Sequence, residues 1–168
     1  MTNRMHDSKE WLEIFPYGMS VSPDGSRPIL IFKDKSEKQV LPVWLSPLDA
    51  GLAMQTSPNS KLTHTPHELS YKILNTLGVK LTKCLFVDIK GQHQFVELHF
   101  EGSDLLKKIK VRADDAMSYC LGVKPEFYCT KEHIKKCREM DMKIQESTHM
   151  GAARTELTLN EDHRKYMN

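Results

Sequence analysis

Three short stretches of the 168-residue chain gather side chains that could do chemistry together. Asp49 lies in SPLDAGLA. His64, His67 and Glu68 lie in LTHTPHEL, and Arg112, Asp114 and Asp115 lie in VRADDAMS. Histidine moves protons near neutral pH, and carboxylates act as acid or base or hold a hard cation. A guanidinium clamps an anion through two parallel bonds. No HExxH pattern, phosphate-binding glycine loop or Asp-rich nuclease signature accompanies them, so no single motif names a reaction. Each residue also has a structural reading. Asp49 and Glu68 fall where the first turn of a helix favours negative charge. His64, between Thr63 and Thr65, could fix the entry to a helix, and Arg112 could pair with Asp114 or Asp115 at the start of another.

A second group is basic. Lys107, Lys108, Lys110 and Arg112 form the densest positive run, and in a strand Lys108, Lys110 and Arg112 share one face. That face suits a phosphate backbone; it equally suits an edge strand protected by lysines. His93 and His99 flank a strand but His93 falls in the GQHQ turn, which points to the surface. Trp44 follows Val43 in an apolar run and is expected in the core or at a subunit contact.

The elements that must carry these residues follow from period and punctuation. WLEIFPYGMSV (Trp11–Val21) reads as an edge or bent strand broken by Pro16 and Gly18. PILIF (Pro28–Phe32) and QVLPVWL (Gln39–Leu45) follow as strands joined too tightly for a crossover helix, hence antiparallel. Ser46 caps a short helix through Gln55 with Pro47 at its first position. A longer helix spans Leu62–Gly78, with Thr65, Pro66 and Glu68 setting a capping box at its true start. Leu69, Ile73, Leu74 and Leu77 are its expected buried stripe. Val79–Lys90 and Phe95–Phe100 form a hairpin, and Leu105–Arg112 adds a third antiparallel strand. A helix over Ala113–Gly122, a brief strand over Glu126–Cys129 and a helix over Lys131–Lys143 complete the fold. The expectation is a single α+β domain with a mixed, largely antiparallel β-sheet and several short helices packed on it. Its bounds are a loose N-terminus over 1–10, the domain over 11–143 and a polar tail over 144–168.

Composition narrows the class. Lys plus Arg is 24 and Asp plus Glu is 22, a net charge of +2, so any grip on a polyanion must be local. The 39% hydrophobic fraction supports a packed core. No apolar run is long enough for a membrane span and no secretory signal is legible, so a cytoplasmic protein without a membrane partner is expected. Cys84, Cys120, Cys129 and Cys137 contain no CxxC pair and are expected as reduced thiols rather than zinc ligands.

Three segments in order, LPVWLSPLDAGLA (Leu41–Ala53), LTHTPHEL (Leu62–Leu69) and VRADDAMSYCLGVKPEFYCTKE (Val111–Glu132), resemble the bifunctional nuclease (DNase/RNase) domain family. The resemblance runs from about Pro28 to Cys137. In that family the first motif reads like LPIWIG followed by an acidic residue, matched here with Asp49 at the acidic place. The second reads RPLTHDL. Here Ser60 and Lys61 stand for the Arg-Pro pair, and two extra residues leave either His64 or His67, followed by Glu68, in the histidine's register. The third reads RPSDAIALA; Arg112, Asp115 and Ala116 match, while Ala113 and Asp114 replace Pro and Ser. The chain is thus similar to a divergent, bacterial-type member.

The resemblance implies hydrolysis of phosphodiester bonds in DNA or RNA with little sequence preference, assisted by Mg²⁺ or Mn²⁺. It implies His64, Asp49, Asp115 and Arg112 as catalytic residues. Lys108, Lys110 and His67 would contact substrate, and Asp49, Asp115 and Glu68 would hold the metal. The competing expectation is a non-catalytic, oligomeric interaction or regulatory module that binds an anion, nucleotide or protein partner in the same cleft. A homo-oligomer is expected under either reading.

Overall fold

Runs of β-branched and aromatic residues, closed by tight turns, build a seven-stranded sheet in which the apolar side chains of alternate positions face inward. The computed structural model describes residues 10–22, 25–55 and 65–140. The strands are β1 (Trp11–Val21), β2 (Pro28–Asp34), β3 (Val40–Trp44), β4 (Lys80–Lys90), β5 (His93–Glu101), β6 (Lys108–Arg112) and β7 (Glu126–Thr130). Their order is β3-β2-β1-β7-β4-β5-β6. Every pairing is antiparallel except β4 with β7. Helices α1 (Pro47–Gln55), α2 (Pro66–Thr76) and α3 (Ala113–Val123) are joined by a fourth, α4, over residues 131–140. The architecture is the α+β domain, with a mixed and largely antiparallel sheet, that the residue pattern indicates.

The turns have identifiable causes. Between β2 and β3, the buried Asp34 carboxylate accepts from the Ser36 hydroxyl, from Ser36 N–H at 3.3 Å and from Gln39 N–H at 2.8 Å. The β4–β5 hairpin turns through Gly91 at φ +59°. Gly102, at φ +91°, ends β5 where the backbone of the α2–β4 turn comes so close that a Cβ would lie 1.9 Å from the Gly78 carbonyl oxygen. Only glycine fits there.

The sheet curls around its core. Phe32 on β2 packs its ring 5.6 Å from Phe86 on β4 and 5.0 Å from Phe127 on β7. The curl is deep enough for the buried Gln94 of β5 to donate to the Pro42 carbonyl of β3 at 2.9 Å, although those strands stand near opposite ends of the sheet order. Ala113, Ala116, Met117 and Cys120 of α3, with Ile134 and Cys137 of the fourth helix, complete the core. All four cysteines are free and buried, as expected of core thiols. Trp44 is buried as well.

Several expectations need correction. β1 is bent by a register shift between Pro16 and Gly18, and it lies inside the sheet order: Trp11–Ile14 pair with β7 and Ile14–Val21 with β2, so each half has a strand on one side. The long helix begins at the Thr65 cap, as its sequence indicates, but its stripe is not buried: Leu69, Ile73 and Leu77 are 63%, 52% and 67% exposed, and only Leu74 packs against the core. Amphipathic spacing reports which residues share a face, not whether another element covers it. Helix α3 runs past Gly122, and Lys124 takes the left-handed position before Pro125, which cannot continue a helix. His93 opens β5 rather than lying in the turn. The tail over 144–168 lies outside the described residues.

Candidate active site on the third helix

Small residues let α1 approach α3 closely. Ala50 and Ala53 are buried on α1, and Ala113 and Ala116 on α3. Ser46 caps α1 by accepting from Asp49 N–H at 3.1 Å, which sets Asp49 in the first turn and turns its carboxylate toward α3. There it is 5% exposed and meets Ser118, which is fully buried. The Ser118 hydroxyl contacts Asp49 Oδ1, and Ser118 N–H donates to Oδ2 at 3.3 Å.

The third member comes from α2. Thr65 Oγ1 accepts from Glu68 N–H at 3.3 Å and Pro66 occupies the first turn, so His67 projects from the start of the helix. Its Nε2 lies 2.7 Å from Ser118 Oγ, and its ring stands edge-on to Tyr119 at 5.9 Å. Asp49, Ser118 and His67 therefore form one continuous hydrogen-bonded row linking three helices. Burial pushes the Asp49 carboxyl above its usual range; the Ser118 donors and the His67 imidazole oppose that rise, and Asp115 adds to it.

One helical turn before Ser118, Asp115 is exposed on the same side of α3 and lies 3.8 Å from Arg112 Nε. Arg112 is chiefly engaged by Asp114, with Nε 2.9 Å from Oδ1 and a second bond from Nη2 to Oδ2. Asp114 is partly buried, which favours its neutral form, yet the Arg112 pair holds its carboxyl below the usual range. His93 Nδ1 stands 3.8 Å from Asp114 Oδ2, the oxygen that Arg112 Nη2 also meets.

Of the residues singled out in sequence, Asp49 and His67 meet at Ser118 and Asp115 lies one turn before it on α3; Arg112 reaches Asp114 and Asp115 from the outer face of β6, opposite Phe95 of β5. Glu68 points into an i,i+4 pair with Lys72 at 2.8 Å. His64 lies outside the described residues, and His67 meets Asp49 through Ser118. Lys108 and Lys110 project from the opposite, solvent-facing side of the sheet, where alternate residues of β5 and β6 point away from the core. They do not form an open cationic ridge. Lys108 Nζ pairs with Glu97 at 3.3 Å and Lys110 Nζ with Asp88 at 2.8 Å. The Lys110 bond holds the Asp88 carboxyl below its usual range. His99 turns to Glu97 at 2.6 Å, so it and His93 serve separate carboxylates.

Ser118 was not legible as a site residue. The one signal was its position: a hydroxyl in AMSYC, flanked by residues destined for the core and one turn after Asp115.

The comparison with known families bears on this helix directly. Residues 30–141 match the bifunctional nuclease domain. The chain belongs to that family. The match takes in α1, α2, α3 and all the described groups of the site, Asp49, His67, Asp115, Arg112 and Ser118. Set against it, the bifunctional nuclease domain of this chain keeps the acidic residue of its first motif and the Arg112–Asp115 pair of its third around one helix. No curated protein matches the chain.

Among the described residues no three His, Cys, Asp or Glu side chains form a group that could hold a metal ion by themselves. Asp49 has both oxygens against Ser118, and Asp115 stands apart on the surface. The donor set does not fit a dedicated protein cage. It fits only the sharing of a hard cation, in which one or two carboxylates and the substrate's phosphate supply the ligands. The exposed Asp115 is the carboxylate suited to that part.

Proposed function

We propose that this bifunctional nuclease domain hydrolyses phosphodiester bonds of DNA, RNA or both with little sequence preference. The observation that carries the reading is His67, held through Ser118 by a buried carboxylate, with Asp115 one turn before Ser118 on α3 and Arg112 3.8 Å from Asp115. An oriented imidazole takes a proton from attacking water or gives one to the leaving oxygen. Arg112 meets the charge that develops on the phosphoryl oxygens, with substrate displacing Asp114 from its two guanidinium nitrogens. Asp49 acts as a positioning residue. A shared Mg²⁺ or Mn²⁺ on Asp115 would neutralise phosphate charge and activate water when bound.

The test is a nuclease assay on single- and double-stranded DNA and RNA, with Mg²⁺, Mn²⁺ or EDTA. Activity should fall by about 10²-fold or more in His67→Ala. Arg112→Ala and Asp115→Ala should also impair it, while His99→Ala should not. Activity indifferent to His67→Ala sinks the site, and no hydrolysis under any metal condition sinks the enzyme reading.

The second reading, a non-catalytic oligomeric module that binds an anion, nucleotide or protein partner at this place, draws on the ion pairs that occupy Lys108, Lys110 and Arg112. Binding without turnover, measured by fluorescence anisotropy and thermal shift on the same substrates, would favour it. Among the described residues no helix is long and apolar enough to cross a membrane.

A further inference from the structure

The parallel neighbours β4 and β7 stay paired only over Lys83–Leu85 and Glu126–Tyr128. Past that point β4 is bulged between Phe86 and Asp88, β7 leads into α4, and the two chains part. Open sheets place ligands in a crevice outside the carboxyl ends of parallel strands. Here the crevice holds a cavity of about 210 Å³ between Trp11, Phe86, Asp88, Thr130, His133 and Lys136. Asp49, His67 and Ser118 are not among its walls.

One polar group on its wall has nothing to bond. Thr130 Oγ1 accepts from His133 N–H at 3.1 Å, which sets His133 in the first turn of α4 with its ring 5.8 Å from Phe86. His133 is 5% exposed, and its Nε2 has no hydrogen-bond partner among the described residues. A buried nitrogen left unpaired is costly, and an occupant that bonds to it recovers that cost. The charges nearby are already matched. Asp88 meets Lys110 at 2.8 Å, and Glu132 meets Lys136 at 2.6 Å. With each carboxylate balanced by a lysine, the wall favours neither a phosphate nor a metal ion and suits a neutral occupant. The volume exceeds the roughly 30 Å³ of one water and falls short of the ~300 Å³ at which drug-sized pockets begin. A single ring fits.

We infer that this cavity takes one nucleobase, its ring against Trp11 and its polar edge toward His133 and Asp88. A neutral imidazole makes one hydrogen bond at Nε2, a carboxylate accepts from an amino group, and an indole stacks on a flat ring. Adenine and cytosine carry an amino group beside an acceptor nitrogen and meet both polar groups; uracil has no amino group. An apolar ring would leave Nε2 unpaired. The base belongs either to a free nucleoside or to a bound strand. The second source rests on the nuclease reading: Lys110, bonded to Asp88 at the cavity wall, stands 5.5 Å from the Phe95 ring, and Phe95 pairs with Arg112. A ring and a lysine thus mark a path from Arg112 to the cavity.

Calorimetric titration of the full chain with adenosine, cytidine and uridine tests the inference. Adenosine and cytidine are expected to bind with Kd of roughly 0.1–1 mM, and uridine at least about threefold more weakly. His133→Phe keeps a ring against Phe86 and removes Nε2, whereas Trp11→Ala removes a wall that is 39% exposed. Each should weaken adenosine binding at least about tenfold. An oligoadenylate with phosphorothioate linkages, added in EDTA, separates the sources. Competition with adenosine assigns the cavity to a base of a bound strand; adenosine binding without competition assigns it to free nucleosides. Neither readout needs hydrolysis, so a chain that binds adenosine and cuts nothing loses the nuclease reading and keeps this one. No saturable heat with any nucleoside up to about 10 mM, or binding that both variants leave unchanged, overturns it and leaves the cavity to water alone.

Discussion

Ser118 Oγ lies 2.7 Å from His67 Nε2, and this one contact ties α2 to the buried carboxylate of α1. An ionised carboxylate can only accept, so Ser118 gives its proton to Asp49 and accepts from His67 Nε2–H. Nδ1 is then the nitrogen available for proton transfer. This direction is the reverse of a serine nucleophile's, whose proton goes to the imidazole. Ser118 positions; it does not attack.

Removing the hydroxyl should therefore act on both stability and rate. Ser118→Ala leaves the buried Asp49 short of a donor and is expected to lower unfolding free energy by about 1.5–3 kcal/mol in urea titrations. Turnover should fall roughly tenfold or more with KM nearly unchanged, because substrate contacts remain. A variant with native kcat would rule out orientation of His67 by Ser118.

The outer face of the sheet should bind nucleic acid better when its carboxylates are removed. Asp88→Asn and Glu97→Gln release Lys110 and Lys108 from their pairs. Affinity at low salt is expected to rise, and the slope of log K against log salt to steepen by about 1 for each further phosphate that a freed lysine neutralises. An unchanged slope would mean that this face does not meet the polyanion.

Acid should destabilise the fold through His133. Burial, with a smaller push from Lys136 and opposition from Asp88, lowers its pKa to about 4, and its Nε2 has no hydrogen-bond partner among the described residues. The folded value lies below the ordinary histidine value of about 6.5, so the unfolded chain binds the proton first. Stability from this group is complete above about pH 6.5 and is lost as pH falls toward 4, by at most about 3 kcal/mol. His133→Phe should flatten that part of the curve in denaturation followed from pH 7 to pH 4. A curve identical to wild type would count against the buried neutral imidazole.

Gly102→Ala should be among the costly single-methyl changes in the chain. The new Cβ would overlap the Gly78 carbonyl at a positive φ, and a loss of at least about 2 kcal/mol is expected by thermal or chemical denaturation. Gly91→Ala, also at positive φ but in open space, should cost about 1–2 kcal/mol. Equal effects would show that the close approach to Gly78 is not limiting.

Much of the architecture was legible because its causes are local. Alternating apolar residues, turn glycines, the Ser46 and Thr65 caps and the prolines that follow them act within a few residues of themselves, so strands and helix starts could be read off the chain. Of the candidate site, Asp49, Arg112, Asp115 and the two histidines could be named from the motifs that resemble the nuclease family. Three things were decided only by tertiary structure. Ser118 became the junction because the small side chains of α1 and α3 let two distant segments close on it. Lys108 and Lys110 lost their free charge because β4 and β5 set carboxylates beside them. The stripe of α2 and the second half of β1 stayed exposed because no described element packs over them. Periodicity names the residues of a face, whereas burial and charge pairing depend on what the folded chain brings opposite.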